Sequence, residues 1–129
     1  MSETMVLVVE HDDMILGFVR SVLRLNGYRV LTAHNGAEAM RIADRFGFER
    51  IDLLLTDVDM HTLGGAGLVR RSKQLRPDLK LLCMTDRPGR LADELGDGCK
   101  VIEKPFAYTT LLRSVEACLL EGKALQAAG

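Results

Sequence analysis

Short apolar runs alternate along this chain with longer segments whose apolar residues recur at helical spacing. Met5–Val9 is a continuous Val-rich run bounded by charge, the pattern of a strand buried on both faces. From Asp13 to Leu25 the residues Ile15, Phe18, Val19 and Val22 fall on one helical stripe, and Asn26–Gly27 signals its C-terminus. Arg29–Ala33 reads as a second, weaker strand. Asn35 with Glu38 three residues on resembles a capping box, so a helix is expected from there to Phe46. Ile51–Thr56 predicts a third strand, and the polar, glycine-containing stretch Asp57–Gly65 a loop. A helix then runs to Leu75, closed by Arg76–Pro77.

Leu79–Met84 is the fourth expected strand and Lys100–Glu103 the fifth. Between them Leu91–Gly96 has room for only a short fourth helix, because Pro88–Gly89 precede it and Gly96 and Gly98 close it. The last helix should start near Ala107, with Leu111, Leu112, Val115, Cys118 and Leu119 on one face, and the tail Gly122–Gly129 is expected to fray. Five strands alternating with five helices predict an α/β domain: a doubly wound parallel sheet covered on both faces. No GxGxxG follows the first strand, so a dinucleotide-binding order has little support. The flavodoxin-like order 2-1-3-4-5 is the expectation, as a single domain over residues 1–129 with its core at 5–120.

Composition narrows the function classes. Hydrophobic residues make up 47% of the 129, enough for a core. The 17 basic and 18 acidic residues nearly cancel, which argues against a dedicated nucleic-acid binder. The longest apolar runs, such as Leu53–Leu55, fall far short of the roughly 20 residues a membrane-spanning helix needs. No basic amphipathic helix suggests a membrane surface, and Met1–Thr4 lacks a basic signal-peptide start, so a cytoplasmic protein is expected. Cys83, Cys99 and Cys118 are odd in number, widely spaced and form no CxxC pair. The expectation is free thiols rather than a zinc site or a disulfide.

In such a sheet ligands bind beyond the carboxyl ends of the strands, at the switch point between strands 1 and 3. Strand 1 ends in Glu10-His11-Asp12-Asp13, strand 3 in Asp57 with Asp59 nearby, strand 4 in Thr85, and strand 5 in Lys104-Pro105. Carboxylates, a hydroxyl and a lysine should therefore converge on one rim. That chemistry suits a hard dication and a phosphoryl group: Mg2+ takes oxygen ligands, and lysine supplies a point charge.

Four runs, in order, carry a family resemblance: Val6-Leu7-Val8-Val9-Glu10-His11-Asp12, then Asp52-Leu53-Leu54-Leu55-Thr56-Asp57-Val58-Asp59-Met60, then Met84-Thr85, then Lys104-Pro105-Phe106. Together they resemble the response-regulator receiver domains of two-component signalling, over nearly the whole chain. Each run alone is weak; their joint order at strand ends is specific. The resemblance implies that Asp57 accepts a phosphoryl group from a phosphohistidine on a sensor histidine kinase or a histidine phosphotransfer protein. It implies that Lys104 contacts the phosphoryl group and that Thr85 reports it to the surface around the fourth helix, fifth strand and last helix. It implies Mg2+, or Mn2+, held by Asp57, the acidic pair after strand 1 and the backbone carbonyl of Asp59. The expected role is a signalling phosphoacceptor that passes its state to a downstream protein, not an enzyme beyond self-catalysed phosphotransfer and dephosphorylation. A homodimer stays open, and a short fourth helix argues against the usual dimer mode.

The sequence departs from the family at several places. The acidic pair is Glu10-His11, where two carboxylates are usual. Imidazole is a poorer Mg2+ ligand than a carboxylate, so weakened affinity, a different metal or pH sensitivity is one expectation, with Asp12 or Asp13 as substitute ligands. The plainer expectation is a tolerated change in a working site. Val101 stands where Tyr or Phe is common, Asp86 adds a charge beside Thr85, and His61 replaces a common Pro. His34, before the Asn35 cap, should be exposed. His11, Val101 and Asp86 support an alternative, a pseudo-receiver acting as a phosphorylation-independent interaction module. Retention of Asp57, Thr85 and Lys104 argues against it. A flavin electron carrier on the same fold is a poor third, because the acidic loop after strand 1 would repel a flavin phosphate.

Overall fold

The computed structural model describes residues 4–58, 65–89 and 99–128. Five strands, β1 (Met5–Val9), β2 (Arg29–Ala33), β3 (Leu53–Asp57), β4 (Lys80–Thr85) and β5 (Lys100–Glu103), form one parallel sheet in the order β2-β1-β3-β4-β5. Among the described residues there are four α-helices: α1 (Asp13–Leu25), α2 (Gly36–Phe46), α3 (Gly65–Leu75) and α4 (Tyr108–Ala128). The expected short helix at Leu91–Gly96 lies outside the described residues, so the count of five expected from the sequence becomes four here.

The apolar strand runs are continuous because both sheet faces are covered. Met5, Leu7 and Val9 of β1 join Leu54, Leu81 and Cys83 in a core under α2 and α3, which contribute Ala39, Ala43, Leu68 and Val69. Val6 and Val8 point the other way and join Leu53, Leu55, Leu82 and Met84 under α1 and α4. This alternation along one strand is the two-residue period of a pleated sheet.

Local signals set the helix ends. Asp12 caps α1, accepting from the backbone N–H groups of Met14 and Ile15. Gly27, at φ +90°, takes the left-handed conformation after α1 that a side chain would resist. Asn35 caps α2 by accepting from the Glu38 N–H, as its spacing predicted.

Several expectations need correction. Phe18 is 41% exposed, because Leu16 and Leu23 join Val19 and Val22 in the core and leave Phe18 at the rim beside Phe106, with ring centroids 6.4 Å apart. The third strand starts two residues later than the apolar run suggests. Ile51 closes a 3-10 turn, Phe48–Arg50, and the Asp52 carboxylate accepts from the Met5 N–H at 2.8 Å. The last helix extends past Gly122 to Ala128, through the segment where fraying was expected, and Lys123, Ala124, Leu125 and Gln126 are strong helix formers. Cys83 and Cys99 are joined in a disulfide rather than free. Cys99 lies one residue before Lys100, whose register partner is Leu82, so both cysteines sit at the β4–β5 junction and belong to the same core face. Cys118 is free and buried, and burial pushes its thiol up to about 11.

Candidate functional site

The register brings the sequence-predicted residues to one edge of the sheet. Val9 pairs with Thr56, so Glu10, just past β1, lies beside Asp57 at the end of β3. Asp57 pairs with Met84, and Thr85 with Glu103, so Thr85 and Lys104 follow on the same rim. Backbone bonds tie these ends together: Glu10 N–H donates to Ala33 O, Val58 N–H to Met84 O, and Lys104 N–H to Thr85 O at 2.8 Å. The rim is thus the continuation of the ladder.

Glu10 and Asp57 are fully buried carboxyls. Each uses one oxygen towards Lys104: Nζ is 2.8 Å from Glu10 Oε1 and 3.3 Å from Asp57 Oδ1. Their other oxygens face His11, whose Nδ1 is 3.4 Å from Glu10 Oε2 and 3.6 Å from Asp57 Oδ2. The side chain of Lys104 is 16% exposed and that of His11 71%, so lysine closes the inner side and the imidazole stands at the mouth. The Lys104–Pro105 peptide bond is cis. Thr85 is buried, and its hydroxyl oxygen accepts from the Arg87 N–H at 2.9 Å, which fixes the start of the connection towards β5.

Electrostatics follow from this crowding. Burial, together with the neighbouring Asp57, raises the Glu10 carboxyl above its usual range, although Lys104 and the Asp12 N–H oppose that. Burial works against the charge on Lys104. The hydrogen bond to Glu10 and the charges of Asp57 and Glu10 outweigh it and raise the ammonium's pKa.

The donor set suits a dication. Glu10, His11 and Asp57 each offer one atom, and the three lie within 4.8 Å of one another. Two buried carboxylates against one ammonium leave a negative excess that a cation would offset. Asp12 and Asp13, the expected substitute ligands, are engaged elsewhere in this structure. Asp12 spends its side chain on capping α1, and Asp13 turns to His34 Nε2 at 3.0 Å. His34 is half exposed, as expected, but also lies 3.6 Å from Glu38. Asp59 and His61 lie outside the described residues. Asp86 and Val101 are exposed, and Asp86 Oδ1 lies 3.8 Å from Arg87 Nε.

What the sequence did not suggest is the division of each carboxylate between Lys104 and His11. The spacing put these residues on one rim, but which oxygen meets which cation is a matter of rotamers.

A family model for the response regulator receiver domain matches residues 6–116. The chain belongs to the response regulator receiver domain family. Among similar proteins, the response regulator receiver protein CpdR of Brucella abortus is 32% identical over 118 residues, 89% of this receiver domain and 96% of CpdR. Response regulator MprA of Mycobacterium bovis is 34% identical over 95% of this chain but 54% of MprA, so the receiver domain spans about half of that relative. The chemotaxis response regulator CheY4 of Vibrio cholerae superposes with a TM-score of 0.78 at 26% identity, over 92% of this chain and 100% of CheY4. No helix among the described residues is long and apolar enough to cross a membrane.

Proposed function

We propose that this receiver domain accepts a phosphoryl group on Asp57 from a phosphohistidine of a sensor histidine kinase or histidine phosphotransfer protein, and relays it by a conformational change. One observation carries the reading: Asp57 is a buried carboxylate at a strand end, with Lys104 Nζ 3.3 Å from Oδ1. An Asp57 carboxylate oxygen attacks phosphorus, a P–O bond forms, and the P–N bond breaks. The electron pair leaves with the donor imidazole, which takes up a proton. Lys104 meets the negative charge that spreads over the phosphoryl oxygens. Thr85, at the end of β4 on the same rim, would hydrogen-bond the new group. Its present hold on the Arg87 N–H would then be exchanged, which passes the event to the β4–β5 connection. Mg2+ or Mn2+ would be held by Glu10, His11 and Asp57, with the Asp59 carbonyl as the family pattern implies, and would supply positive charge to offset the phosphoryl oxygens. The domain acts as a signalling phosphoacceptor, and its output goes to a downstream protein.

The test is incubation with acetyl phosphate or phosphoramidate and a divalent metal, read by intact mass. Wild type should gain one phosphoryl increment that Asp57→Asn abolishes. No increment with Mg2+, Mn2+ or any other dication would overturn the reading and favour a phosphorylation-independent interaction module.

A further inference from the structure

We propose that the Glu10–His11–Asp57 pocket selects a nitrogen-accepting transition-metal dication, Co2+, Ni2+ or Zn2+, relative to what an all-carboxylate pocket on this rim would do, at the expense of Mg2+. The inference rests on the receiver reading of the rim and turns on His11. Lys104 occupies one oxygen of each buried carboxylate, at 2.8 and 3.3 Å. The two remaining oxygens, Glu10 Oε2 and Asp57 Oδ2, converge on His11 Nδ1 from 3.4 and 3.6 Å. A cation on that side therefore meets two anionic oxygens and one imidazole nitrogen within a 4.8 Å cluster. Asp12, the nearest further carboxylate along the chain, is engaged at the α1 cap through Oδ1 and is not a member of this cluster.

Mg2+ is small and hard, demands oxygen in near-octahedral geometry and sheds water reluctantly. Replacing a carboxylate by a neutral imidazole withdraws both an oxygen and a negative charge from it. Co2+, Ni2+ and Zn2+ lose the same charge but gain a ligand they bind well. The imidazole is free to adjust: its side chain is 71% exposed, so ligation asks no core packing to move.

Raw affinity does not test this, because any carboxylate site favours these ions over Mg2+. The test is a ratio. Tag-free oxidised full chain is titrated calorimetrically with MgCl2 and CoCl2 in wild type and in His11→Asp, both carrying His34→Ala to remove the exposed Asp13–His34–Glu38 group. The Mg2+-to-Co2+ ratio of dissociation constants should be larger in the His11 protein by about tenfold or more. Hyperfine-shifted, non-exchanging imidazole C–H protons in the Co2+ NMR spectrum should accompany it and vanish in His11→Asp. Equal ratios in the two proteins, or no such resonance, overturn the assignment. The phosphoryl mass increment separates the two readings. An increment with Mg2+ and equal ratios leave the phosphoacceptor standing and remove the metal preference. A changed ratio without any increment does the reverse.

Discussion

Asp57 has two unlike flanks. On the β4–β5 side, Lys104 is mostly buried, its N–H is bonded to Thr85 O, and the Cys83–Cys99 disulfide bridges the same pair of strands. On the β1 side, His11 stands in solvent and Asp12 is tied to the α1 cap. The Lys104 flank is thus braced by backbone and covalent bonds, while the His11 flank rests on one exposed side chain and one buried acid. His11, the departure in the acidic pair, lies on the exposed β1 flank, whereas Asp86 and Val101 depart on the β4–β5 side.

The strongest way to break the comparison is to remove the braced cation. Lys104→Met leaves two buried carboxyls facing each other and should destabilise the domain by about 3 kcal/mol or more at neutral pH. The sign with pH is set by Glu10. Its folded pKa lies above the ordinary 4.5, so the folded state holds the proton longer, and stability falls as pH rises from 4.5 through the raised value. Lys104 opposes that rise in Glu10, so its loss widens the falling window towards neutrality, and part of the lost stability should return on acidification. The ammonium itself, raised above 10.5, contributes stability that is present below that pH and lost above it, a loss the variant should lack. Urea titrations of both proteins across the pH range measure these slopes; a variant loss independent of pH would remove the electrostatic account.

Next in size is the covalent brace. The bridge joins cysteines 16 positions apart in sequence, and the loop it closes contains Thr85. Loop entropy predicts that Cys99→Ser, or full reduction, lowers stability by about 3 kcal/mol. Denaturant midpoints with and without a dithiol reductant check this, with Cys118→Ser as a control. Reduction without effect on the midpoint would mean that the braced flank is held by the ladder alone.

Much of the molecule was legible in the sequence, for identifiable reasons. The strands were readable because Met5–Val9 and Leu53–Leu55 are apolar on both faces, which only a covered parallel sheet needs. The rim was readable because Glu10, Asp57, Thr85 and Lys104 each sit at or just past a strand end, so order along the chain became proximity in space. The disulfide was not. It depends on the β4–β5 register across a connection whose path no local pattern dictates, and an odd count of cysteines pointed the other way. Phe18 was misplaced because a helical stripe fixes a face only to within about one residue. Asp12 illustrates a different limit: the same carboxylate can cap a helix or ligate a cation, and the residue type does not say which.

Asp12→Ala makes that last distinction measurable on the β1 flank, and it is the smallest effect expected. The Asp12 carboxylate accepts from the Met14 N–H at 2.9 Å and the Ile15 N–H at 3.2 Å, both at the first turn of α1. Losing the cap should lower stability by about 1 kcal/mol, seen as a reduced denaturant midpoint. The pocket itself should be little changed, because Glu10 Oε2 takes its hydrogen bond from the Asp12 backbone N–H, which alanine keeps. Calorimetric dication affinity in Asp12→Ala should therefore match wild type, whereas Asp12→Asn should recover most of the lost stability. If Asp12→Ala instead weakened dication binding with the midpoint unchanged, Asp12 would be a ligand after all, and the open flank would hold its cation through three carboxylates rather than through His11.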